Sequence, residues 1–89
     1  MTHSEIKRAQ ANAAETLVNI SAYVETLHPE LHDDKATIWF LTEEAEGAFI
    51  QYLDCAIAMN LKIVEQSPIE MARAYVKSAL NKSKENRAS

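Results

Sequence analysis

The chain has 89 residues, 47% hydrophobic and 25% charged, with a formal net charge of -4. That length holds one small domain with a modest core, and a single Gly with two Pro leaves too few turn formers for an all-β fold. The acidic balance disfavours unspecific attachment to nucleic acid or to an anionic membrane, since both select a basic surface.

Cys55 is the lone cysteine, so no internal disulfide can form and a reducing, cytoplasmic setting is expected. The N-terminal stretch lacks the unbroken apolar core of a signal peptide. No apolar run approaches the ~20 residues that span a bilayer, so no membrane partner is expected. A single α-helical domain over residues 1–84 is expected, with a frayed tail over 85–89.

Residues 4–28 read as the first helix. Ser4 is placed to cap it, and Glu5 sits where the helix start favours an acid. Ile6, Ala9, Ala13, Leu17, Ile20, Val24 and Leu27 advance in steps of three and four, with a mean near 3.5 that fits an antiparallel bundle seam. Pro29 ends this helix, because it lacks an N–H and pushes His28 out of helical geometry.

Residues 29–34, PELHDD, form a connector whose Asp33 or Asp34 can cap the next helix. Thr37, Ile38, Trp39 and Phe40 favour a strand by intrinsic preference. A lone strand needs a partner, however, and the only candidate is the short run 61–64. One long helix from about Asp34 to about Lys62 is therefore expected. Gly47 inside it costs roughly 1 kcal/mol relative to Ala, which a kink or a close helix crossing would explain.

This second helix carries most of the apolar surface. Phe49, Tyr52, Ala56, Met59 and Ile63 make one row; Ile50, Leu53, Ile57, Leu61 and Val64 make another. A helix apolar on most of its circumference is buried on most of it. Ser67-Pro68-Ile69-Glu70 then forms a capping box with proline at the first helical position. The third helix is expected from Pro68 to about Lys82, with Ile69, Ala72, Val76, Ala79 and Leu80 inward and Met71 and Tyr75 on a second edge.

The expected fold is thus all-α: a long antiparallel helical hairpin plus a shorter C-terminal helix. Ile38 to Leu41 are consecutive and spread around about 300° of a helix, more than one neighbour covers. A homodimeric helical bundle supplies the missing cover, with Ile38, Trp39, Phe40, Phe49 and Tyr52 as its expected interface.

Chemical motifs are each incomplete. Glu25-Thr-Leu-His28 has the E-x-x-H spacing of helical di-metal sites, but His28 abuts Pro29 at the helix end. His28 and His32 are four apart, yet Pro29 breaks the helix that would bring them together on a zinc ion. Glu43-Glu-Ala-Glu46 could hold magnesium, although the following Gln51-Tyr-Leu-Asp54 lacks a second glutamate. Cys55 has no base nearby to activate it. No catalytic residue, metal or cofactor is expected.

Charge is uneven: residues 33–66 hold seven acids and two bases, and residues 67–89 two acids and five bases. Asp33, Asp34, Glu43, Glu44 and Glu46 form a candidate acidic patch for a basic partner. Arg73, Lys77, Lys82, Lys84 and Arg87 form a candidate nucleic-acid contact on the last helix, loosely in the manner of a helix-turn-helix. The expected function is that of a small non-enzymatic accessory or regulatory protein, acting by protein–protein interaction through the homodimer. The alternatives are a nucleic-acid-associated regulator using the basic last helix and, third, a divalent-metal-dependent all-α enzyme.

Overall fold

A computed structural model describes residues 2–58 and 67–88, with side chains through Glu85. Three α-helices and a short 3-10 helix make up the described chain, and no strand occurs among the described residues. Helix α1 spans His3–Thr26, the 3-10 helix Pro29–Asp33, α2 Lys35–Ala58 and α3 Pro68–Ala88. Residues 37–41, torn between strand propensity and helical context, are helical. Burial of one face outweighs the weak strand preference of Thr, Ile and Trp.

The caps explain these limits. Thr2, not Ser4, caps α1: its Oγ1 accepts from Glu5 N at 3.2 Å, and Glu5 Oε2 accepts from Thr2 N at 3.1 Å. The capping box needs an acid three residues after the cap, which Thr2 has and Ser4 lacks. Helix α1 closes at Thr26, and Leu27 and His28 take extended geometry before Pro29. At α2, Asp34 Oδ2 accepts from Thr37 N at 3.0 Å and Thr37 Oγ1 at 2.8 Å. Ser67 Oγ accepts from Glu70 N at 3.3 Å. Helix α3 then continues to Ala88, past the Lys82 end expected from sequence, because Ser83 is buried and keeps the last turns on the bundle. The expected continuation of α2 to Lys62 lies outside the described residues.

Those two hydrogen bonds hold the Asp34 carboxyl below its ordinary value of 3.8, the Thr37 side chain contributing most. A lowered folded-state value stabilises the fold above the unfolded value, and that stabilisation is lost as pH falls through the folded one. Asp34→Ala should therefore weaken the start of α2 at neutral pH and flatten the acid limb of the stability curve below about pH 4. Urea midpoints across pH 2.5 to 7 measure both; an unchanged acid limb would show that the cap contributes nothing.

Helix α2 lies between its neighbours and packs extensively on both. It runs antiparallel to α1, with Cys55 Sγ near its end 3.7 Å from Ile6 O near the start of α1. It runs antiparallel to α3, with Lys84 Nζ 3.1 Å from Asp33 Oδ1 at one end and the Phe49 and Tyr75 rings in edge contact at 6.1 Å further along. The core joins Ile20, Val24 and Leu27 of α1 and its end to Leu41 and Ala45 of α2 and Ala72, Val76 and Leu80 of α3. Small residues at the contacts let the axes approach: Ala13, Ala45 and Ala72 are fully buried.

One polar pin crosses this core. Tyr75 donates its hydroxyl proton to Leu17 O, which leaves Ser21 Oγ as donor to Tyr75 Oη at 2.8 Å. It locks α3 in register on α1 while burying most of an aromatic ring.

Helix α2 passes through Gly47 without interruption, and a Cβ there would meet nothing within 4 Å. No crossing among the described residues requires the glycine. Gly47→Ala should raise stability by about 0.5–1 kcal/mol and the melting temperature by several degrees. Thermal unfolding at fixed protein concentration checks this, and a lower melting temperature would mean that another surface closes on Gly47.

Candidate functional site

The consecutive residues Ile38 to Leu41 are divided by the helix among different surroundings. Leu41 is 1% exposed at the centre of the core, and Ile38 packs against the same cluster from its edge. Trp39 and Phe40 face outward, 63% and 53% exposed. Phe49 also turns onto the core, against Tyr75, and Tyr52 is half-buried. The five residues expected at one interface thus divide: Ile38 and Phe49 support the chain's own packing, while Trp39 and Phe40 lie free about 100° apart.

Two residues that the periodicity placed inward join the outer face. Ile50 and Ile57 are 45% and 61% exposed. At about 100° per residue, Trp39, Ile50 and Ile57 fall within roughly 20° of one line along α2, a stripe about 27 Å long. Its cause is the side of α2 that the bundle uses: Leu41, Ala45, Ala48 and Cys55 are buried on the opposite side of the helix. The sequence signal was present in the i, i+11, i+18 recurrence, but periodicity alone cannot say on which side a short helix will pack.

Phe40 belongs to a separate shallow groove between α1 and α2, shared with Tyr23 and Glu44. Glu43 and Glu46 flank Trp39 on the other side, in a groove that reaches Ile69 and Arg73 of α3.

The acidic residues do not form one patch. Asp33 is held by Lys84, and Asp34 caps α2. Glu44 points toward the α1 side, away from Glu43 and Glu46. Among the described residues, no three His, Cys, Asp or Glu side chains gather in a geometry that could hold a metal ion. His28 is exposed and lies 3.4 Å from Glu30, an ion pair when the imidazole is protonated. His32 is buried instead, so the two histidines do not converge. Cys55 is buried against Ile6 O.

The basic residues also separate. Arg73, Lys77 and Lys84 lie within about 40° of one another on α3, while Lys82 lies roughly 140° or more around the helix. The first three line a cavity of about 310 Å³ between α3, the 3-10 helix and the start of α2. Lys82 faces the α1 side, near Ser21 and Glu25. A continuous basic ridge fitting a nucleic-acid groove does not form from these four; Arg87 lies outside the described side chains.

His32 lines the same cavity. It is 2% exposed, and its Nε2 has no hydrogen-bond partner. A buried imidazole nitrogen left unpaired costs about 1–3 kcal/mol. Sequence reading missed it: within PELHDD, only the three-residue turn of the 3-10 helix folds His32 under α3, and nothing in the composition signals that.

No helix among the described residues is long and apolar enough to cross a membrane. No family model, curated protein or solved structure matches the chain.

Proposed function

We propose that the protein is a non-enzymatic accessory protein that self-associates as a two-fold dimer through the outer face of α2 and acts by protein–protein interaction. The observation that carries this is the exposed line Trp39, Ile50 and Ile57 on a helix already packed on its other sides. Three exposed large apolar side chains on one face of a helix, with Glu46 between them, mark an interaction surface rather than ordinary scatter.

A second copy fits the line at its two ends. Two α2 helices set antiparallel about a two-fold axis near Ala48 bring Trp39 of one copy level with Ile57 of the other, twice. Such an isologous contact uses one patch on both copies. Charge at the middle sets a limit on affinity. The Glu46 carboxylates of the two copies come within roughly 6 Å along the axis, so added salt strengthens the pairing by screening them.

Sedimentation equilibrium of the wild-type chain between micromolar and millimolar concentration tests the proposal. The expected result is a mass twice that of the chain, with tighter association at higher salt. A single 10.0 kDa species throughout that range would overturn it.

A further inference from the structure

The cavity of about 310 Å³ between α3 and the 3-10 helix has a pronounced polarity gradient. Its floor is apolar, formed by Ile38, Val76 and Leu80, and its rim carries Arg73, Lys77 and Asn81. Lys84 closes one end through its 3.1 Å contact with Asp33. Neither Arg73 nor Lys77 has an ion-pair partner among the described residues. Three cations against one acid make this the basic corner of a chain whose net charge is -4. The imidazole of His32 forms part of the wall, buried, with Nε2 unpartnered.

We propose that this cavity binds a small amphipathic carboxylate, its apolar body on Ile38, Val76 and Leu80, its carboxylate between Arg73 and Lys77, and the wall at His32 as its inner contact. Each part of the site selects against a simpler ligand. Inorganic phosphate satisfies the cations and leaves the apolar floor wet; a neutral alcohol covers the floor and leaves the cations unpaired. Arg73 offers a planar fork that matches a carboxylate, and Lys77 one turn later adds a point charge. The volume lies at the lower end for small-molecule sites, which restricts the apolar body to a short chain or one ring.

The test is a titration of the 89-residue chain with octanoate, followed by NMR of the histidine ring and methyl resonances, with 1-octanol and inorganic phosphate as parallel arms. Saturable shifts at His32, Val76 and Leu80 are expected, with a dissociation constant on the order of 1 mM. Octanol and phosphate should each bind at least about tenfold more weakly, as expected when a charge-assisted contact or the apolar contact is lost. Arg73→Ala with Lys77→Ala should weaken octanoate by a similar factor, while circular dichroism stays unchanged because both side chains are exposed. Equal binding of octanol and octanoate, equal binding by the double variant, or shifts that do not saturate at His32 would each overturn the site.

Discussion

Ile50→Glu should abolish the proposed pairing, leaving a monomer at concentrations where the wild type is expected to pair. Ile50 lies at the level where the antiparallel copies place Glu46 of the partner. The substitution therefore removes apolar contact twice and sets new carboxylates against existing ones, also twice. A two-fold interface doubles every change. Ile50 has about half its surface left to bury, so losing two such contacts costs roughly 1.5–3 kcal/mol in total at about 1.5–3 kcal/mol for each full burial. The dimer dissociation constant should rise about ten- to a hundredfold from the lost apolar contact, since each 1.4 kcal/mol is a factor of ten, and further from the carboxylate repulsion. The fold itself should barely respond, because Ile50 is 45% exposed in the isolated chain and surface substitutions move stability by about 0.5 kcal/mol or less. Val18→Glu supplies the control: Val18 is 65% exposed on α1, off the α2 stripe, and its variant should pair as the wild type does. Sedimentation equilibrium of the two variants, with thermal unfolding of each, separates loss of pairing from loss of fold. A dimer that survives Ile50→Glu uses another face.

Much of the fold was legible because helical periodicity is a local property. The α1 seam lies where its three-four spacing put it: Ile6, Ala13, Ile20, Val24 and Leu27 are buried. Ala72, Val76 and Leu80 of α3 are equally where their spacing put them. Pro29 stopped the first helix and Ser67 with Pro68 started the third, since both act through backbone geometry within one turn. What the pattern could not supply was relative placement. Phe49 and Ile50 point about 100° apart, and that α3 packs on the Phe49 side, where Tyr75 meets it, is a tertiary choice. The cap at Thr2 rather than Ser4 turned on a reciprocal bond with Glu5, a choice between two adequate hydroxyls. The cavity at His32 was least legible. It arises from a buried residue in a connector, flanked by cations from a helix some forty residues later, and no periodic signal joins them.

Leu41→Ala should be the most destabilising single substitution in the described core. Its neighbours Trp39 and Phe40 are larger, yet they are mostly exposed, so truncating them forfeits less buried area. Leu41 is 1% exposed and belongs to the cluster that joins all three helices, with Ile20 and Val24 from α1 and Val76 and Leu80 from α3. Cutting it to Ala opens a void bordered by rigid helices that cannot close around it. Such substitutions cost about 2–5 kcal/mol, the transfer term plus the cavity term. A domain of this size has roughly 4–13 kcal/mol of net stability at the usual 0.05–0.15 kcal/mol per residue, so the loss removes a large share of it. Leu41→Met keeps the volume and should cost less than about 1.5 kcal/mol. Urea unfolding of the pair, at one protein concentration, gives both numbers. A shift for Leu41→Ala of less than about 1 kcal/mol would place the centre of packing elsewhere. Trp39→Ala in the same assay should lower stability only through the dimer, and its effect should fade as the protein is diluted below the pairing range.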